Sequence, residues 1–173
     1  MEMYKIICQE IESILKDTDG LAAPILSLHL SKRAKFERYL QTVLAYKLQS
    51  RYPDTEIEKP YPNNKSKRAD IFANNTYIEM KTPNTRFKVE GVEAKNKPIA
   101  KNINGIINDI EKLKTSGVNN GVVAFVLFPI DDEGKYRSSI KDIIGVLRDN
   151  TTYVECVVGQ FYVFSAKVQV AKG

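Results

Sequence analysis

Asp70, Glu79 and Lys81 place two carboxylates and an amine within a stretch of twelve residues. Two acids at close range repel unless a cation lies between them, and carboxylate oxygens on a short rigid platform are what Mg²⁺ or Mn²⁺ takes. An ammonium beside such an ion adds positive charge toward a pentavalent phosphorane, or helps deprotonate a water whose pKa the metal has already lowered. Together the three residue types point to hydrolysis of a phosphodiester.

The element that must position them is a β-hairpin running from Arg68 to Lys81. Asn74-Asn75 separates two runs rich in strand-forming residues, and asparagine tolerates the positive φ that a tight hairpin turn needs. Side chains alternate along a strand, so Tyr77, Glu79 and Lys81 share one face while Ile78 and Met80 share the other. A turn at Asn74-Asn75 brings Asp70 back beside Glu79 at a cross-strand distance of about 5 Å.

Ala69-Asp70, eight intervening residues and then Glu79-Met80-Lys81 resemble the signature of the PD-(D/E)XK nuclease superfamily, with Ala69 standing where a proline often precedes the first acid. The resemblance covers residues 31 to 130. It implies a restriction-endonuclease-like three-layer α/β core, a mixed β-sheet flanked by helices. It also implies that Asp70, Glu79 and the carbonyl of Met80 bind Mg²⁺ or Mn²⁺, and that Lys81 assists the attacking water. In that superfamily a helix before the core sheet often supplies a further acid, which makes Glu37 a candidate third carboxylate; the other reading of Glu37 is an exposed helix residue paired with Arg33 or Gln41. The implied activity is a metal-dependent endonuclease of restriction or structure-selective type acting on DNA, leaving a 5′-phosphate and a 3′-hydroxyl, with a homodimer as the form that cuts two strands. The alternative is a non-catalytic nucleic-acid-binding domain that keeps the fold.

Around the hairpin the chain reads as a single domain over residues 1–173. Residues 3–17 form a helix with Ile6, Ile7, Ile11, Ile14 and Leu15 at helical spacing, and Asp17-Thr18-Asp19-Gly20 ends it. His29, the only histidine, has no second histidine or cysteine near it and reads as structural. Ser31 caps a helix from Lys32 to about Ser50 with the stripe Phe36, Tyr39, Leu40, Val43, Leu44 and Leu48. A first core strand spans residues 55–61. Residues 86–97 read as a basic loop, either closing over a nucleic acid with Arg86, Lys88, Lys95 and Lys97 or making a plain surface excursion.

Pro98 opens a helix reaching about Thr115, its inward stripe being Ile99, Ile103, Ile106, Ile107, Ile110 and Leu113. On it Lys101, Asn102 and Asn104 are placed to meet the site or a phosphate, whereas Asp109, Glu111 and Lys112 read as ordinary solvated charges. Val122 to Phe128 is a continuous apolar run, the mark of a central strand buried on both faces. Asp131-Asp132-Glu133-Gly134 lacks the ligand spacing of a calcium loop and reads as a solvated turn. A C-terminal helix and a hairpin across Gly159-Gln160 occupy residues 136–170.

Hydrophobic content of 43% suits a globular chain. No apolar run approaches the roughly 20 residues of a membrane span, and no secretory leader opens the sequence, so an intracellular address is expected, including that of a viral protein inside a host cell. Cys8 and Cys156 form neither a metal-ligand spacing nor a disulfide framework and read as buried small hydrophobes. The net charge of +5 is uneven: residues 31–101 carry 16 Lys and Arg against 8 Asp and Glu, the remainder 10 against 13. The acids of interest thus lie in the basic part, as a polyanionic substrate requires, with Arg68 and Lys101 joining the loop cations as expected contacts to nucleic acid.

Overall fold

A computed structural model describes residues 1–17, 36–83, 99–130, 136–147 and 152–170. Six strands form one mixed sheet: β1 Glu56–Pro60, β2 Arg68–Ala73, β3 Thr76–Lys81, β4 Gly121–Leu127, β5 Tyr153–Val158 and β6 Phe161–Val168. From edge to edge the order is β1, β2, β3, β4, β6, β5; β3 runs parallel to β4 and every other neighbouring pair is antiparallel. Four helices are described: α1 Met3–Asp17, α2 Phe36–Gln49, α3 Ile99–Thr115 and α4 Tyr136–Leu147.

The apolar stripes decide which face each helix covers. From α1 and α2, Ile7, Ile11, Leu40 and Leu44 pack with Ile71, Ile78, Met80 and Val122 on one side of the sheet. On the other side Ile106, Ile110 and Leu113 of α3 and Ile143 of α4 pack with Val123, Phe125 and Phe164. β4, covered on both faces, is buried along its whole length, as its unbroken apolar run requires. The chain is therefore α/β, with helices on both faces of a mixed sheet. Among the described residues no helix is long and apolar enough to cross a membrane.

The β2–β3 hairpin closes where the asparagines place it. Asn74 and Asn75 have φ of 47° and 54°, Ala73 pairs with Thr76, and the two left-handed residues between them match the twist of the strands they join. Asp54 completes the turn, its carboxylate accepting the N–H of Asn74 at 3.0 Å and of Asn75 at 3.3 Å.

Further along, β2 is irregular at Asp70. Ala69 packs on the α3 side, whereas Ile71 and Ala73 pack on the α1 and α2 side, although alternate residues of a regular strand share one face. Across from it Glu58 of β1 has a φ of 56°. The β1–β2 register is the same on either side, with Ile57 opposite Ile71 and Lys59 opposite Ala69, so neither strand gains a residue and the two distort together. Lys32, Arg33, His29, the 86–97 loop and the turn at 131–134 lie outside the described residues.

Candidate active site between β3 and α3

The hairpin register, Ile71 opposite Ile78, carries Asp70 to the position opposite Glu79. At the β2 distortion Asp70 Oδ2 accepts the N–H of Met80 at 2.7 Å, standing in for a main-chain acceptor of the ladder. The Asp70 carbonyl in turn accepts from Gln41 Nε2 of α2 at 2.6 Å. Gln41 is itself held by Arg38 at 3.0 Å, and Arg38 pairs with Glu58 at 2.8 Å. One polar chain thus runs from β1 through α2 to Asp70 and on to β3, fixing the first acid against the strand that bears the second.

Glu37 sits one position before Arg38, and its Oε2 accepts the N–H of Thr82 at 3.1 Å, with Oε1 3.9 Å from Lys81 Nζ. The helix glutamate therefore points to the end of β3, and its pairing with Gln41 is replaced by that of Arg38. Lys81 reaches Asp109 Oδ2 of α3 at 3.2 Å. A recess of about 290 Å³ opens here, lined by Glu37, Lys81, Thr82, Pro83, Lys101, Asn102 and Gly105. It lies at the C-terminal end of β3, where it runs parallel to β4; in open α/β sheets such ends are where ligands bind.

Glu79 differs from the open cradle that the sequence suggests. It is 2% exposed, and the ammonium resting on it is that of Lys112, 2.6 Å from Oε1, not that of Lys81. The Tyr61 hydroxyl donates to the same oxygen. Tyr61 is itself wholly buried, its ring stacked on Tyr77 at 5.3 Å with Lys112 Nζ 5.5 Å from its centroid. Lys112 also lies 3.5 Å from Asp109 Oδ1. Asp109 and Lys112 are thus inner members of the site and not solvated charges; Asp109 is 8% exposed. Their inward placement follows from the helix period: Asn102, Gly105, Asp109 and Lys112 fall on one stripe of α3, beside the apolar stripe that fastens the helix to the sheet.

The electrostatics follow from four carboxylates sharing two ammonium groups in a mostly buried volume. Burial first, then the charges of Asp70 and Asp109, push Glu79 up to about 8, against the pull of Lys112 and Tyr61. Burial also raises Glu37, with Lys81 opposing. For Lys81 burial favours the neutral amine, but Glu37, Asp109 and Asp70 outweigh it and hold the ammonium form. Burial and the neighbouring Glu79 raise the Tyr61 phenol, which stays a donor.

Donor chemistry and leftover valences suit a hard divalent cation. Asp70 Oδ1 and Glu79 Oε2 accept no hydrogen bond among the described residues. Asp109 Oδ2 is buried without a hydrogen bond, its approach to Lys81 being a charge contact out of alignment. No three described His, Cys, Asp or Glu side chains gather as a ready-made cage. One or two carboxylates completed by water and substrate phosphate is the usual protein share of a Mg²⁺ shell.

Of the expected contacts to nucleic acid, Lys101 lines the recess, whereas Arg68 is exposed at the start of β2, outside the recess lining, and donates to the Glu58 carbonyl at 3.0 Å. Arg86, Lys88, Lys95 and Lys97 lie outside the described residues. The chain matches no family model, no curated protein and no solved structure.

Proposed function

We propose that the protein is a metal-dependent endonuclease hydrolysing phosphodiester bonds in DNA, built on a restriction-endonuclease-like core of the PD-(D/E)XK type. The observation that carries this reading is the arrangement around the end of β3: Glu37 and Lys81 line one recess, Asp70 is wired to the backbone of that strand at Met80, and Glu79 lies buried beside them on the same strand. Asp70 and Glu79, with the Met80 carbonyl between them and Lys81, would hold Mg²⁺ or Mn²⁺, and Glu37 extends the acidic set. When bound, such an ion supplies a Lewis acid and a water of lowered pKa.

Lys81 is held as an ammonium by three acids, which favours a role in neutralising charge on the phosphorane over one as general base. Lys101, which lines the same recess, would meet a phosphate oxygen of the strand being cut. Asp70 and Gln41 form the positioning link, since displacing a ligand by about 1 Å is enough to cost orders of magnitude in rate. Cutting both strands of a duplex calls for two copies of the chain.

One observation favours a binding module without catalysis: Glu79 already has Lys112 and Tyr61 as partners, so the site is partly neutralised from within. Incubation of plasmid, single-stranded DNA and RNA with Mg²⁺ or Mn²⁺ separates the two. Cleavage by the wild type that is lost in Asp70→Ala and in Lys81→Ala supports the nuclease. Binding without cleavage in all three supports the module, and equal cleavage by all three removes these residues from the site.

A further inference from the structure

Cys8 and Cys156 stand at opposite ends of the chain, 148 positions apart, yet their sulfurs lie 3.9 Å from each other with both thiols free. Cys8 is buried on α1 and Cys156 is partly exposed on the edge strand β5. Both elements are anchored: α1 by Ile7, Ile11 and Ile14 in the core, β5 by its full pairing with β6. A disulfide needs the sulfurs to approach by roughly 2 Å more. We propose that this pair is a site of reversible oxidation, closing an intramolecular disulfide when a peroxide reaches Cys156.

The two positions divide the chemistry. The accessible Cys156, as thiolate, attacks a peroxide oxygen; an S–O bond forms, the O–O bond breaks and hydroxide leaves, giving a sulfenic acid. The Cys8 sulfur then attacks that sulfenic sulfur, its proton going with the displaced hydroxyl as water. Two thiols and one hydrogen peroxide thus give one disulfide and two waters. Burial raises both thiols, Cys8 to about 12 with Cys156 and Glu12 adding to the effect, so the resting pair is sluggish toward stray oxidants. The bond would close a loop of nearly the whole chain, where restriction of the unfolded state is greatest.

The test uses the full chain, metal-free, with a small molar excess of hydrogen peroxide. Thiols counted in denaturant should fall from two to none, proteolysis should release a Cys8–Cys156 linked peptide pair, and dithiothreitol should restore both thiols. Tm should rise by about 10 °C on oxidation. In Cys8→Ala, Cys156 should go on to sulfinic acid for want of its partner. Two persisting thiols, chains linked to one another, or a disulfide that lowers Tm would overturn the proposal.

Discussion

Among the described residues Glu79 is the most deeply buried acid, 2% exposed, and its cost is held down by Lys112 at 2.6 Å and by the Tyr61 hydroxyl. Removing one partner of a buried pair leaves the other charge uncompensated, but Glu79 can escape by taking a proton. Lys112→Met should therefore destabilise the fold by about 2–3 kcal/mol in urea denaturation at neutral pH, and by more at pH 9, where that escape closes. The same group sets a pH dependence. Its pKa is about 8 in the folded chain against roughly 4.3 when unfolded, so the native state binds the extra proton between those values. Its contribution is fully present below the unfolded value and is lost as pH rises through the folded one. Glu79→Gln abolishes that loss, and calorimetry in chelator should find its Tm advantage over wild type growing from pH 5 to pH 9. An advantage that stays level from pH 5 to pH 9 would mean that Glu79 is ionised throughout.

At the scale of the element, α3 carries two stripes with different duties. Ile103, Ile106, Ile110 and Leu113 fasten it to the sheet, and Asn102, Gly105, Asp109 and Lys112 face the recess and β3. Gly105 is the odd member, because mid-helix glycine costs about 1 kcal/mol relative to alanine, and a Cβ there would meet nothing within 4 Å. Its use is to leave the recess open. Gly105→Ala should stabilise the protein by about 1 kcal/mol, whereas Gly105→Leu should fold with equal or higher Tm yet cut at least about tenfold more slowly, since its side chain fills the space beside Lys81. Undiminished cleavage by a well-folded Gly105→Leu would place the substrate elsewhere. The apolar stripe and the Asn74-Asn75 turn were legible in sequence because each depends on spacing within one segment. Asp109 and Lys112 were not, because three residues apart on a helix they look like any exposed pair, and only the strand lying opposite turns them inward. The distortion at Asp70 was hidden for the same reason: it involves Glu58 on a neighbouring strand, and no local pattern marks it.

Across the whole molecule, acids and bases are arranged in opposition. The site is rich in carboxylates, while the stretch of sequence 31–101, which supplies Glu37, Asp70 and Glu79, carries twice as many Lys and Arg as Asp and Glu. On the proposed reading, a polyanion would be drawn by those cations and repelled by the carboxylates until a divalent ion neutralised them. Binding and cleavage should consequently separate. Measured on duplex DNA in chelator, log affinity should fall linearly with log salt, by about 0.9 per phosphate neutralised, and Lys101→Gln should reduce that slope by about one contact. Asp70→Ala removes a repelling charge without removing a cation. It should bind DNA at least as tightly as wild type in chelator with an unchanged slope, and fail to gain affinity when Mg²⁺ is added, whereas wild type tightens. Wild type that binds no better with Mg²⁺ than without it would show that the acidic cluster serves the fold and not the substrate.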